Sequence, residues 1–151
     1  MLTLYKPALN DLWFKQKLLA DPETMSYNAA WGGTIDFPEE KWQPWYDRWM
    51  NDEPARFYRY LRREDGSFAG ETAWHMENGK CLLDIIVYAP YRGKGCGREG
   101  LGLLLSEAKK AGYTEVWDGI ALDNPSAALF LSEGFTEEYR DSESVWLRKT
   151  L

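Results

Sequence analysis

Hydrophobic and polar positions follow a helical period in the first third of the chain and a strand period in the middle. Residues 2–6 predict a short strand, and after Pro7 the apolar positions Leu9, Leu12 and Trp13 fall on one helical face. The stretch DPETMSYNAAWGGTID, residues 21–36, is rich in turn formers and predicts a loop. Asp36, with Glu39 three positions on, predicts a capping-box start to the next helix. Within PEEKWQPWYDRWMN, Trp42, Trp45, Tyr46 and Trp49 recur at helical spacing, and Pro44 is expected to kink or divide that helix. Such a stripe is expected to be core or subunit interface rather than a ligand box, which leaves a homodimer open. Then the period falls to two. ARFYRYLRRE, SFAGETAWHME and KCLLDIIVYA are separated by Asp65-Gly66 and Asn78-Gly79, both strong signals for a tight hairpin, so three antiparallel strands are predicted. The third is nearly all apolar, as a strand covered on both faces would be.

Beyond a glycine-rich stretch, Leu101, Leu104, Leu105 and Ala108 mark a helix closed by Gly112. TEVWDGIA predicts a strand, NPSAALFLSE a short helix and SVWLRKTL a final strand. The expected fold class is α/β in the α+β sense: a mixed, largely antiparallel twisted sheet of about six to seven strands flanked by helices, in one domain over residues 1–151.

Composition narrows the partners. The 151 residues carry a net charge of −6, which argues against nucleic acid and anionic membranes as partners. Any anion site must be local. Cys81, Cys96 and the single His75 form no metal-ligand spacing, so no metal is expected. No leader or apolar run of about 18 residues is visible, and the expected location is the cytoplasm.

The local candidate is YRGKGCGREG, residues 91–100, where glycines alternate with Lys94 and Cys96 between Arg92 and Arg98. Gly95-x-Gly97-x-x-Gly100 follows a strand and opens a helix, and Asp118 stands about 20 residues on, as a dinucleotide-binding turn would have it. Against an NAD site stand the antiparallel meander before the loop, the residues intervening between strand and glycines, and the short chain after Asp118.

Arg92-x-x-Gly95-x-Gly97 also resembles the Arg/Gln-x-x-Gly-x-Gly/Ala signature of the GNAT superfamily of N-acetyltransferases. DIIVYAPYRGKGCG resembles that family's fourth strand and pyrophosphate loop, and DNPSAALFLSEGF its later helix ending in Gly-Phe. The resemblance implies acetyl-CoA as co-substrate, held by Arg92, Gly93, Lys94, Gly95, Cys96, Gly97 and Arg98, with Asn124 and Phe130 beside it. The pantetheine arm would lie along Ile85, Ile86 and Val87, and a backbone N–H near Val87 would receive the oxyanion. An amine would attack the thioester directly, with no acyl-enzyme. Independently of the resemblance, an uncapped helix N-terminus with basic flanks suits a pyrophosphate. Cys96 is read as a small loop side chain without a catalytic role.

Proton transfer needs owners, because an alkylammonium has a pKa of about 10.4. Glu71 and His75 share a strand face and could couple. His75 could equally be a strand-end histidine, and Glu71 could be functional or paired with an arginine. Asp84 interrupts an apolar strand and needs a partner or a task. Where the family carries a proton-donating tyrosine, this chain has Phe130 or Leu131; Tyr88 is a candidate substitute. Tyr27, Asn28 and Trp31 are expected to contact a small-molecule or peptide amine, cationic by preference. A non-catalytic acyl-CoA-binding domain is the alternative.

Overall fold

The computed structural model describes the backbone of all 151 residues and every side chain except those of Ala30 and Trp31. The expectation placed on Trp31 therefore lies outside the described side chains. Seven strands form one open sheet in the order β1-β2-β3-β4-β5-β7-β6. The meander predicted from the two hairpin signals is β2 (Arg56–Arg62), β3 (Phe68–Glu77) and β4 (Lys80–Val87). Its turns put Gly66 and Gly79 at positive φ, and β3 runs antiparallel to β4 from Gly70 opposite Val87 to Glu77 opposite Lys80. Strand β1 (Thr3–Tyr5) extends the sheet beside β2. On the other side β5 (Glu115–Ala121) pairs antiparallel with β7 (Ser144–Thr150), and β7 with β6 (Thr136–Arg140). Strand β6 was not legible in the sequence because all five of its side chains, TEEYR, are exposed and no buried period marks it.

Helices cover both faces. On one, α3 (Cys96–Lys110) and α4 (Ser126–Ser132) close a core built on Trp74, Leu83, Leu101, Leu104, Val116 and Leu147. On the other, α1 (Trp13–Ala20) and α2 (Trp42–Met50) cover Tyr58, Tyr60, Ala73 and Ile86. The tryptophan stripe of α2 packs half-buried against this second core. The expected division of that helix falls before Trp42, where a 3-10 turn (Glu39–Lys41) ends, and α2 continues through Pro44. Pro44 lies in the first turn, whose N–H groups have no helical acceptor, so the ring removes no bond. The expected capping box does not form: Pro38 holds the cap position and no side chain bonds there. Residues 21–36, expected to be a loop, contain a 3-10 helix, Thr24–Trp31. Asp21 accepts from the N–H and hydroxyl of Thr24 to start it, and Gly32, at φ +106°, stops it.

Two glycines test the packing in opposite directions. A Cβ on Gly70 would stand 2.2 Å from the Ile86 carbonyl oxygen, within the β3–β4 ladder, whereas a Cβ on Gly102 in α3 meets nothing within 4 Å. Gly70→Ala is expected to lower the unfolding free energy by roughly 1–3 kcal/mol. Gly102→Ala should raise it by about 0.5–1 kcal/mol. Urea titration of the two variants checks both signs.

Candidate functional site

The site begins where β4 loses a neighbour. Strands β4 and β5 are parallel and share a single register position, Leu82 opposite Trp117, and then diverge. The Tyr88 N–H bonds back to the Ala69 carbonyl at 2.8 Å, so strand alternation turns the backbone groups of Ile85 and Val87 to the other edge, into the gap. The Val87 carbonyl is taken by Arg92 Nε at 3.2 Å; the Val87 N–H faces the gap without a partner among the described residues. This gap is the inner part of a cleft of about 560 Å³ lined by Ile85 to Val87, Asp118 to Ala121, Leu129 and Phe130.

At its outer part lies the glycine-rich loop. Gly95, at φ +83°, is the N-cap of α3, and no side chain caps it. No backbone N–H from Gly93 through Arg98 has a partner among the described residues; the first amide to find one is that of Glu99, on the Gly95 carbonyl at 3.0 Å. Gly97 sits so close to the cleft wall that a Cβ there would be 3.3 Å from Leu129 and 3.8 Å from Val87. A row of unpaired N–H groups at the start of a fifteen-residue helix presents the geometry and dipole that favour an anion.

The basic side chains of the loop have other engagements. Arg92 donates to three carbonyls: Val87 through Nε, Glu23 through Nη1 at 3.1 Å and Thr24 through Nη2 at 2.6 Å. Thr24 in turn accepts from the Ala89 N–H at 3.0 Å. Arg92 thus fastens the 3-10 helix to the end of β4, and its charge stays beside the loop while its donors are used by the chain. Arg98 pairs with Glu133 at 2.9 Å, and Lys94 lies over the Tyr91 ring. The free donors of the loop are its amides and the Lys94 ammonium, which has no hydrogen-bond partner among the described residues.

The fastened 3-10 helix places Ser26 and Tyr27 on the cleft. Asn28 does not reach it: its side-chain amide donates to the Gly33 carbonyl at 2.8 Å and shapes its own turn. Asn124 lines the cleft mouth and accepts from the Ser126 N–H at 3.0 Å, starting α4. Phe130 is buried against Phe135 and contributes the cleft wall, and Cys96 packs half-buried near Leu61 and Ala69.

Two carboxylates sit at the narrow end of the gap. Asp84 is exposed, but into the cleft, with protein around it on the other sides; burial pushes its pKa up, and the Lys15 and His75 charges and the Ile85 N–H offset part of that. Asp118 is held well above the ordinary aspartate range by burial and then by the Asp84 charge, eased only by the Gly119 N–H. The Tyr27 hydroxyl, desolvated and facing both acids, is also pushed up and stays protonated.

Glu71 and His75 are not brought together. Glu71 is buried beneath the cleft, where it accepts from Lys15 Nζ at 3.1 Å and from the Tyr58 hydroxyl. Burial raises its pKa and the Lys15 ammonium pulls it back. Lys15 lies over the rings of Trp45 and Tyr58, each at 4.8 Å, so the partner of Glu71 is a lysine rather than an arginine. His75 lies half-exposed, 3.3 Å from Glu77 and edge-on to Trp49. Tyr88 packs among Phe14, Tyr91 and the Lys17 ammonium, away from the cleft lining. The residue that sequence reasoning placed in the wrong setting is Asp118, weighed only as a ribose-binding acid; its signal was a lone acid within an apolar strand, the same signal that marked Asp84.

Comparison with known proteins follows the geometry. A family model described as an acetyltransferase (GNAT) domain matches residues 1–136. Among curated protein sequences nothing matches the chain significantly. Spermidine N-acetyltransferase from Vibrio cholerae, solved with CoA and spermine, superposes with a TM-score of 0.82 at 19% identity, covering 99% of this chain and 95% of that one. A domain from Methanocaldococcus jannaschii gives 0.80 at 21% identity, covering 100% and 99%. The PaiA N-acetyltransferase of Thermoplasma acidophilum, in complex with coenzyme A, gives 0.74 at 16% identity, also over 100% and 99%. At these identities the superpositions establish the shared fold.

The displaced titration of Asp118 has a thermodynamic signature. Its folded pKa lies above the ordinary value near 3.8, so the native state binds more protons than the unfolded one and stability falls as pH rises through that window. Asp118→Asn removes the loss. Its melting temperature at pH 7 should exceed that of the parent by roughly 2–6 °C, the yield of about 1 kcal/mol in a chain of this size. The gain should vanish below about pH 4, where aspartate is protonated in both states. Thermal melts of both proteins across pH 3.5–8 check it.

Proposed function

The chain belongs to the GNAT acetyltransferase family, and we propose that it moves the acetyl group of acetyl-CoA to the primary amine of a small molecule or peptide by direct attack. The observation that carries this reading is the cleft itself, with unpaired amides from Gly93 to Arg98 at one end and an unpaired strand edge at the other. Pyrophosphate fits the first and an extended pantetheine arm the second, adding a strand's worth of hydrogen bonds to β4. CoA-bound neighbours support the same ligand. The Val87 N–H is then the donor to the carbonyl oxygen, and such a donor is worth on the order of 3 kcal/mol of transition-state stabilisation.

Acceptor chemistry follows from the sign of the cleft. Asp84 and Asp118 line its floor, and Tyr27 supplies an aromatic wall from the 3-10 helix. A cationic amine is attracted to this floor and an anionic acceptor is repelled. The Vibrio cholerae neighbour is a spermidine N-acetyltransferase, which supports a small cationic amine as the class. Asp84 serves as the base: its pKa is raised from the ordinary carboxylate value yet kept from rising further by Lys15, and it faces the gap from which an amine would enter. Glu71, fixed between Lys15 and Tyr58, holds that lysine in place and does not face the cleft.

A second reading, an acyl-CoA-binding domain without turnover, draws on one observation: the α4 wall of the cleft, Leu129 and Phe130, carries no hydroxyl to protonate a leaving thiolate. Turnover separates the two. With acetyl-CoA at about 100 times its Kd, binding should stabilise the protein by about 2.7 kcal/mol, seen as a raised melting temperature. Thiol release is then followed with spermidine, spermine, a lysine-containing peptide and an acidic amine such as glutamate. The cationic amines should be acetylated and glutamate should not. Asp84→Asn should lower kcat by on the order of 10²–10⁴-fold while the acetyl-CoA shift persists. A thermal shift without thiol release for any amine would establish the second reading.

A further inference from the structure

Acyl transfer needs a proton at each end of the reaction, and the sheet separates the two ends. Strand register shows which face each carboxylate occupies. Asp84 stands opposite Ala73, within the core of α1 and α2. Asp118 stands opposite Leu147 and is flanked along its strand by Val116 and Ile120, all within the core of α3 and α4. The two acids therefore approach the apex of one gap from opposite faces of the sheet.

A thioester lying in that gap would be held by its phosphates at the α3 N-terminus, so its sulfur belongs to the α3–α4 side. The amine enters from the side of Asp84 and Tyr27. On the sulfur side the cleft wall is apolar: Ile120, Leu129 and Phe130 carry no proton to give. Asp123, Asn124 and Ser126 line the cleft at its mouth, past the end of β5 at Ala121, where the Asn124 side chain accepts from the Ser126 N–H. Asp118 is the proton-bearing side chain next to the apex on that face.

We propose that Asp118 is the catalytic acid that protonates the departing thiolate of coenzyme A, which rests on the acetyl-transfer reading above. The amine nitrogen, after losing its ammonium proton to solvent, forms a bond to the thioester carbon. The carbon–sulfur bond breaks, its electron pair leaves on sulfur, and sulfur takes the Asp118 proton. Asp84 accepts the second proton from nitrogen. Transfer from Asp84 to Asp118 through water in the opened cleft resets the pair, and the net products are the amide, free coenzyme A and one proton. The environments of the two acids agree with these roles: burial and the neighbouring Asp84 charge shift Asp118 toward its protonated form, and the Lys15 charge shifts Asp84 toward its ionised form.

The test varies the leaving group. Asp118→Asn and Asp118→Ala are assayed with acetyl-CoA and with its selenium analogue, in which sulfur is replaced and the weakly basic selenolate departs without a proton. The acceptor is the best amine of the panel above. With acetyl-CoA, kcat should fall on the order of 10²–10⁴-fold and the acetyl-CoA KM should stay within about threefold. With the selenoester, most of that loss should disappear. An equal loss on both donors, or an unchanged kcat with acetyl-CoA, overturns the assignment. The thermal shift of each variant with coenzyme A reports that it is folded and binds. Parent protein that binds acetyl-CoA yet turns over no amine overturns the acetyl-transfer reading itself, a result distinct from an active parent with an active Asp118→Asn.

Discussion

A central strand that loses its neighbour on one side must leave backbone donors and acceptors unpaired, and that constraint organises this molecule. Past Leu82 and Trp117 no strand among the described residues pairs with the edge of β4, and Arg92 takes the Val87 carbonyl. Buried amides without partners are costly, so a gap of this kind persists only where a ligand or water fills it. The rest of the structure holds the gap open. On β5, Gly119 leaves room for Trp146, whose ring would lie 2.7 Å from a Cβ there, and β7 pairs with β5 along the whole of its length. On β4, the opposite edge is fully engaged with β3, so the strand cannot move across to close the space.

The two ends of the cleft are mechanically joined through Arg92. Its guanidinium spans the Val87 carbonyl at the tip of β4 and the Glu23 and Thr24 carbonyls of the 3-10 helix, immediately before the glycine loop. The segment that places Tyr27 on the cleft is therefore pinned to the segment that leads into the glycine loop. A free lysine could not do this, since its ammonium lacks the planar fork that reaches three carbonyls at once. The same economy of charge appears beneath the sheet, where Lys15 is shared among Glu71, Trp45 and Tyr58. Breaking such a buried pair from one side leaves the other charge uncompensated, which typically costs 3–5 kcal/mol. Glu71 is thus tied to the fold, and Asp84 and Asp118 are left as the acids at the narrow end of the cleft, with Asp123 at its mouth.

Much of this was legible in the chain before folding. Asp65-Gly66 and Asn78-Gly79 announced the meander because few other residues adopt the backbone those turns need. The alternating glycines announced a loop opening a helix, since glycine readily takes the positive φ found at Gly93 and Gly95. What was not legible depended on distance along the chain or on silence. Strand β6 carries no buried residue and so no period. The partner of Glu71 is Lys15, 56 positions away, and local spacing says nothing about it. Arg92 was read as a phosphate ligand from its charge, and nothing in the sequence pointed to the three carbonyls to which it also donates. The divergence of β4 from β5 is a property of the packed sheet, and without it Asp84 and Asp118 are only two acids in apolar strands.

Those two acids explain why the cleft tolerates an unfavourable arrangement. Two aspartates whose pKa values are raised, both by burial and Asp118 also by the Asp84 charge, destabilise the folded state above the pH at which they would ionise in water. A fold selected for stability alone would place asparagine or valine there. Groups displaced from their ordinary pKa in a cleft mark the places where a chain accepts lower stability for a function. The displacement also supplies what the chemistry lacks. One acid shifted further toward its protonated form than the other, on opposite faces of one gap, would give the proposed reaction a donor and an acceptor. Under that proposal the two are not interchangeable, because phosphates held at the start of α3 would fix which face the sulfur meets.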